Sequence, residues 1–93
     1  MTEKAIEKYL VKKTKEMGGR ALKFVSPGFS GVPDRLVLMP KGKMCFAELK
    51  SQGKKPRPLQ NGVHRMLRDL GFRVYVIDSY MGVEKMIKEI TDG

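Results

Sequence analysis

The chain has 93 residues, the size of one domain, and a domain this small buries so modest a share of its surface that a partner subunit would help to stabilise it. Apolar residues make up 41% of the chain and charged residues 31%, and no apolar run approaches the roughly 20 residues that cross a bilayer. We therefore predict a single domain over residues 1–93 that does not span a membrane.

The cysteine content and the N-terminal segment bear on location. The single cysteine, Cys45, cannot form an internal disulfide, and one cysteine is too few for a thiolate zinc site. The N-terminal residues lack the apolar stretch of a secretory signal. We therefore expect a cytoplasmic protein, either in a bacterium or, if a phage encodes it, in the cytoplasm of the host.

The charge balance is strongly basic, with 19 Lys and Arg residues against 10 Asp and Glu residues and a net charge of +9. Such an excess attracts polyanions, and nucleic acid is the commonest partner of this kind. The alternative is a basic protein without a specific ligand. Carboxylates become informative in this setting, because on a DNA-binding face they repel phosphate unless a metal ion lies between them.

The first predicted element is a helix from Glu3 to Met17. Ile6 and Leu10 fall on one stripe of this helix, Thr2 is placed to cap its N-terminus, and Gly18-Gly19 is placed to end it. A Gly- and Pro-rich loop is predicted at residues 26–33.

The whole chain predicts the order helix, three strands, helix, strand, helix, which is a small α/β fold with mixed strand directions. A turn at residues 40–43 joins two strands that are apolar at nearly every position, which predicts a sheet covered on both faces. The predicted strands are 20–25, 35–39, 44–49 and 72–77, and the later helices are 59–70 and 80–90. The inward face of the second helix is predicted to hold Leu59, Val63, Met66, Leu67 and Leu70.

Asp34 and Glu48 lie at the open end of the predicted hairpin. With a three-residue turn, Asp34 lies across from Glu48 or Lys50 and on the same face, whereas a two-residue turn places it across from Leu49 on the opposite face. We therefore expect either the odd-numbered turn or a bend at Asp34. Glu48 and Lys50 are two residues apart and share a face in either case.

This grouping predicts metal chemistry. Two carboxylates close together in a covered sheet repel each other and stay ionised only if a cation lies between them, and hard oxygen ligands suit Mg²⁺ or its substitute Mn²⁺. A neighbouring lysine such as Lys50 can orient an attacking water or stabilise charge on a phosphate. On a basic protein this indicates phosphodiester hydrolysis. The alternative, which the Glu-x-Lys spacing alone favours, is a surface salt bridge between Glu48 and Lys50 beside a turn aspartate.

Three strings extend the pattern: Gly31–Arg35 (Gly-Val-Pro-Asp-Arg), Phe46–Lys50 (Phe-Ala-Glu-Leu-Lys) and Pro58–Gln60 (Pro-Leu-Gln). In this order they resemble the virus-type replication-repair nuclease (VRR-NUC) domain of the PD-(D/E)xK nuclease superfamily. The resemblance runs from the first helix to the last strand. It implies an α/β fold with a restriction-endonuclease-like αβββαβ core, in which helices flank a mixed sheet, and here a C-terminal helix follows.

The resemblance also implies roles for individual residues. Asp34 and Glu48 match the family's metal ligands, to which the backbone carbonyl of Leu49 would be added. Lys50 matches the catalytic lysine. Gln60 matches a glutamine at the start of the second core helix, where it would support the lysine or the attacking water.

A further family glutamate lies on the first helix, and two residues match it. Glu3 and Glu7 are four residues apart on one helix face, so either is a candidate metal ligand. Glu7 is preferred, because Leu10-Val11 and Gly18 follow it as in Holliday junction resolvases, which the chain also resembles. The alternative is that Glu7 is an exposed residue paired with a nearby lysine.

The predicted DNA contacts are Arg35, Lys54, Lys55 and Arg57. The alternative for the last three is a solvated basic loop, and the alternative for Arg35 is that it braces the loop beside Asp34. The only histidine, His64, lies one turn along the second helix from the predicted glutamine. It is either at the rim of the active site or, as we favour, an ordinary surface or partly buried histidine.

The predicted function is that of a Mg²⁺-dependent endonuclease that acts on branched or structured DNA such as Holliday junctions. Short stand-alone members of the family resemble archaeal Holliday junction resolvases and often pair as homodimers, so a homodimer is expected here. Two alternatives remain. One is a non-catalytic basic DNA-binding module with structural acidic residues, and the other is an RNA-binding or ribosome-associated basic protein.

Overall fold

The fold is a mixed sheet with helices on its faces. In chain order, the elements of the computed structural model, which describes residues 1–92, are α1 (Glu3–Glu16), β1 (Arg20–Lys23), β2 (Arg35–Met39), β3 (Lys43–Leu49), α2 (Pro58–Asp69), β4 (Val74–Ile77) and α3 (Tyr80–Asp92). The sheet order is β1-β2-β3-β4; the first three strands are antiparallel and β4 is parallel to β3. The predicted order of elements and the mixed sheet are confirmed. None of the helices in residues 1–92 is long and apolar enough to cross a membrane.

Two strands are shorter than the sequence predicted. β1 ends at Lys23 instead of Val25, and β4 begins at Val74 instead of Phe72. The residues just beyond these two ends continue the apolar strand pattern but lie outside the paired strands. The N–H of Phe24 still donates to the carbonyl of Asp34 at 2.9 Å, which ties the loop before Asp34 to the edge of the sheet.

One face of the sheet carries the hydrophobic core. α1 and α3 pack on this face, where the odd-numbered residues of β1, β2 and β3 point inward. Cys45 is fully buried there, and burial raises the pKa of its thiol to about 12. The core comprises Ile6, Leu10, Ala21, Val37, Met39, Cys45, Ala47, Leu49, Ile77, Val83, Met86 and Ile90.

The other face of the sheet is only partly covered. α2 lies over β4 on this side, and the even-numbered residues of β1 and β2 are left open, with Leu22 46% and Leu38 40% exposed. The expectation that the sheet is covered on both faces is therefore wrong for these two strands. Their continuous apolar pattern is real, but within the described chain only one of the two faces is packed against helices.

α2 turns its polar side toward the sheet. Of the apolar residues predicted to face inward, only Val63 is buried, whereas Leu59 is 61% exposed, and Gln60 and His64 are buried instead. The predicted inward face of this helix is therefore wrong. The physical reason is that the sheet residue under α2 is Glu48, and a buried carboxylate needs polar partners.

The hairpin turn between β2 and β3 fixes the register of these two strands. Pro40–Gly42 form a three-residue turn in which Lys41 and Gly42 have positive φ. The observed pairing of Arg35 with Ala47, continued by one position, places Asp34 opposite Glu48. The expected odd-numbered turn is therefore confirmed.

Gly31 allows the loop before β2 to pack closely against α2. Its φ is +89°, and an added Cβ would lie 3.0 Å from Val63 Cγ2 and 3.1 Å from Leu59 Cγ. Gly28, in the same loop, has nothing within 4 Å of its Cβ position, and its φ lies outside the left-handed region. Only Gly31 is therefore required by both backbone conformation and packing.

Replacing Gly31 with alanine should lower the free energy of unfolding by about 1–3 kcal/mol, because the new methyl group strains the backbone and crowds α2. Urea denaturation measures the change, and Gly28→Ala is the matched control, which should unfold near the wild-type midpoint. Equal midpoints for the two variants would show that Gly31 does not hold this loop.

Candidate active site

The hairpin brings two carboxylates to one face of the sheet. Asp34 directly precedes β2 and lies opposite Glu48 of β3 when the observed pairing is continued by one residue, and opposite residues of an antiparallel pair point the same way. The preceding Pro33 is fully buried and anchors the loop. The Asp34 carboxylate accepts a hydrogen bond from the N–H of Leu49 at 3.0 Å, so the aspartate is held against the end of β3.

Glu48 is an ionisable group in a nearly dry position, with 1% of its surface exposed. Its Oε2 accepts a hydrogen bond from Gln60 Nε2 at 2.7 Å and lies 3.2 Å from Lys50 Nζ. Its Oε1 has no hydrogen-bond partner. Burial raises the pKa of Glu48, the nearby Asp34 raises it further, and the bonds from Lys50 and Gln60 oppose both effects.

Lys50 places an ammonium group beside Glu48. Its backbone N–H donates to the carbonyl of Ile77 at 2.9 Å, which fixes this end of β3 to the end of β4. The side chain is 16% exposed, so its charge lies at the boundary between the buried carboxylate and solvent. An ammonium in this position can reach a ligand that approaches Glu48 from outside.

Gln60 connects the start of α2 to the carboxylate. Its Oε1 accepts a hydrogen bond from the N–H of Arg57 at 3.0 Å, and its Nε2 donates to Glu48. The sequence led us to expect that Gln60 supports Lys50 or a water. In the structure its amide bonds Glu48 and not Lys50.

The residues at this point fit a divalent cation. Two carboxylates face each other, and one buried carboxylate oxygen lacks a partner, which is the arrangement that a hard cation satisfies. No group of three or more His, Cys, Asp and Glu side chains within residues 1–92 is close enough to hold a metal ion. The side-chain ligands available here are therefore Asp34 and Glu48, and further ligands would be backbone carbonyl oxygen and water.

Glu7 is not brought to this pair. Its Oε2 lies 3.0 Å from Arg35 Nε, and Arg35 also donates to the carbonyl of Ala21 at 2.8 Å. Arg35 pairs with Ala47 and so points to the α1 side of the sheet, away from the face of Asp34. Of the two roles left open for Arg35, these contacts favour bracing over DNA contact, and neither Glu7 nor the exposed Glu3 joins the carboxylate pair.

The basic loop between β3 and α2 lies beside the site. Lys54, Lys55 and Arg57 are all exposed. The first two line a hollow of about 600 Å³ whose wall also includes Arg68 and His64. The loop is tied to the end of β4 by a hydrogen bond of 3.2 Å from the N–H of Gly53 to Asp78.

His64 is the residue that sequence reasoning ranked too low. It is neither on the surface nor partly buried but 1% exposed, and its Nε2 lies 3.8 Å from Glu48 Oε1. The available signal was its position one helical turn after Gln60, on the same side of α2.

Comparison with known proteins identifies the family. No protein-family model matches the chain. Over 77 residues, which are 83% of each chain, the sequence is 53% identical to a protein named "Putative nuclease p44" from Acyrthosiphon pisum secondary endosymbiont phage 1. A solved structure described as a VRR-NUC domain superposes with a TM-score of 0.86 at 34% identity, covering 95% of this chain and 97% of that one. The chain belongs to the VRR-NUC family of nuclease domains.

Proposed function

We propose that the protein is a Mg²⁺-dependent DNA endonuclease, in which Mn²⁺ substitutes for Mg²⁺. The observation that carries this proposal is the pair of opposed carboxylates, Asp34 and Glu48, with an unpartnered buried oxygen and the ammonium of Lys50 beside it. Family membership supports the nuclease chemistry. A DNA substrate also implies the cytoplasmic setting expected from the sequence.

Each residue has a task in this proposal. Asp34, Glu48 and the backbone carbonyl of Leu49 would hold the cation. Glu7 is proposed as an outer ligand through water, a role that would require it to leave its ion pair with Arg35. The bound cation would polarise the phosphate and neutralise charge that develops on it. Lys50 donates hydrogen bonds to the attacking water or to a phosphate oxygen, and Gln60 holds the carboxylate of Glu48.

The reaction is hydrolysis of a phosphodiester bond. An oxygen of water forms a bond to phosphorus, the bond from phosphorus to the 3′ oxygen breaks, and the products are a 5′-phosphate and a 3′-hydroxyl. One water proton goes to the leaving oxygen and the other to solvent. These steps need no oxidant or cosubstrate.

Basic residues on the same side supply contacts to the DNA backbone. The exposed loop with Lys54, Lys55 and Arg57 directly follows β3, and Lys54 and Lys55 line a hollow together with His64, which contacts Glu48. Phosphate contacts of this kind fix register without reading sequence. The net charge of +9 adds a long-range attraction for DNA. Arg35 would contribute mainly by bracing, because its guanidinium is already bound to Glu7.

The open face of the sheet supports a homodimer. Leu22 and Leu38 are exposed on β1 and β2, and Phe72 is 43% exposed where it packs on the buried Phe46. The ring centroids of Phe46 and Phe72 are 5.9 Å apart, and those of Phe24 and Phe46 are 5.5 Å apart. An open apolar sheet face of this kind is suited to association with a second copy. Two copies joined through it would carry two active sites related by symmetry, which suits nicking of two strands in branched DNA such as a Holliday junction.

The site assignment is tested by Asp34→Asn and Lys50→Ala on labelled four-way junction DNA with Mg²⁺ or Mn²⁺. Each variant should cut at least about 100-fold more slowly than wild type, because each removes a group that acts on the reacting phosphate. Lys12→Ala, which changes an exposed lysine of α1, is the control and should cut like wild type. Wild-type rates in the site variants would disprove the assignment. A wild-type protein that binds DNA equally well in EDTA and never cuts it would indicate the non-catalytic module.

Glu48→Gln should raise the melting temperature in EDTA by a few degrees, corresponding to about 1 kcal/mol. The folded pKa of Glu48 lies above its usual value, so the ionised form destabilises the metal-free fold at neutral pH. This penalty is absent below the usual pKa and grows as pH rises through the folded pKa, so the gain from the amide should shrink as pH falls.

Thermal unfolding with and without Mn²⁺ at several pH values measures both effects. Wild type should gain stability from Mn²⁺, whereas Glu48→Gln should gain much less, since binding to the folded state alone shifts unfolding. A variant that melts below wild type in EDTA would contradict the proposed cost of the buried charge.

The dimer is tested by sedimentation of Leu38→Glu. Wild type should sediment as a dimer at micromolar concentration and the variant as a monomer, because a charge on the open face cannot be buried between two copies. Met81→Glu changes a residue that is more exposed and lies on α3, in the other layer, and should leave the dimer intact. Dimers of equal strength in both variants would place the interface elsewhere.

A further inference from the structure

Three buried polar atoms without partners lie together behind the active site. Within residues 1–92, the buried side-chain nitrogen and oxygen atoms that lack a hydrogen bond are Glu48 Oε1 and the two ring nitrogens of His64. His64 Nε2 and Glu48 Oε1 face each other at 3.8 Å. Unpaired buried polar groups destabilise a fold, so their coincidence at one point calls for a functional reason.

The orientation of α2 is a second observation at the same point. The helix exposes Leu59 and Leu70 and buries Gln60 and His64, although the opposite arrangement would bury more apolar surface. Both buried side chains point at one carboxylate, that of Glu48. Gln60 already donates to Oε2, and His64, one turn further along, faces Oε1.

The position of the imidazole proton decides whether His64 can bond Glu48. A neutral imidazole carries its proton on one nitrogen and accepts at the other. With the proton on Nε2, the ring presents a donor to the carboxylate of Glu48.

We propose that His64 is a positioning residue for the metal-binding carboxylate. Nε2 and Glu48 Oε1 lie 3.8 Å apart, which is too far for a hydrogen bond, and a small shift of the side chains when the cation is bound would bring Nε2–H within hydrogen-bond range of Oε1. Gln60 and His64, on successive turns of α2, then donate to the two oxygens of the Glu48 carboxylate and fix the orientation of that carboxylate. A carboxylate has about four acceptor positions, so Glu48 can accept these bonds and the one from Lys50 and still face a cation beside Asp34. The inference rests on the proposed function, because it needs Glu48 to be a metal ligand.

A direct test compares Mn²⁺ binding by calorimetry, without DNA, for the full chain carrying His64→Leu or His64→Gln. Loss of a partner that orients a metal ligand typically weakens metal binding 10–100-fold, so His64→Leu should lose about this much. His64→Gln keeps a donor and should recover most of the affinity. Asn61→Leu, the same replacement at an exposed position of α2, is the control and should bind like wild type.

Stability separates positioning from a packing role. His64→Leu removes unpaired polar atoms from a buried place, so its melting temperature in EDTA should not fall below that of wild type while its Mn²⁺ affinity does. Long-range ¹H–¹⁵N spectra of the wild-type imidazole should show the proton on Nε2. Should His64→Leu fail to stay folded, this spectrum and the affinity of His64→Gln decide the question.

Failure of the positioning role can be distinguished from failure of the proposed function. If wild type binds Mn²⁺ and cuts DNA but His64→Leu binds Mn²⁺ equally tightly, the positioning role is wrong and the nuclease proposal stands. A proton found on Nδ1 would also overturn the positioning role. If wild type neither binds Mn²⁺ nor cuts DNA, both proposals fall together.

Discussion

The burial of one carboxylate, that of Glu48, opposite a second one, that of Asp34, is the constraint around which this face of the sheet is arranged. The three-residue turn at Pro40–Gly42 sets the register that opposes Asp34 and Glu48. Neighbouring groups then offset the cost of charge there: a lysine two residues along the strand and a glutamine from the helix above it. A protein selected only for stability would place apolar residues in these positions.

The two faces of the sheet differ in what packs against them. On one face α1 and α3 enclose an apolar core, and on the other α2 turns polar side chains inward and apolar ones outward. That reversal costs buried apolar area in the isolated chain. It also leaves Leu59 and Leu70 exposed on the outer side of α2.

Sequence patterns predicted much of this arrangement, and the misses have physical causes. Element order followed from periodicity and glycine positions, and counting turn residues was enough to place Asp34 across from Glu48. Periodicity could not show which stripe of α2 faces the sheet, because a buried carboxylate outweighed Leu59 and its apolar neighbours. The contact of Arg35 with Glu7 was accessible in principle, since adjacent strand residues point to opposite faces.

The burial of Cys45 has a practical consequence for labelling experiments that follow the protein's dynamics. Its thiol is enclosed in the core, and with a pKa of about 12 it holds almost no reactive thiolate at neutral pH. As this is the sole cysteine, the native chain should react very little with maleimide reagents. A fluorophore or spin label attached to a cysteine introduced in the basic loop would report on that loop alone, with no need to delete the native thiol.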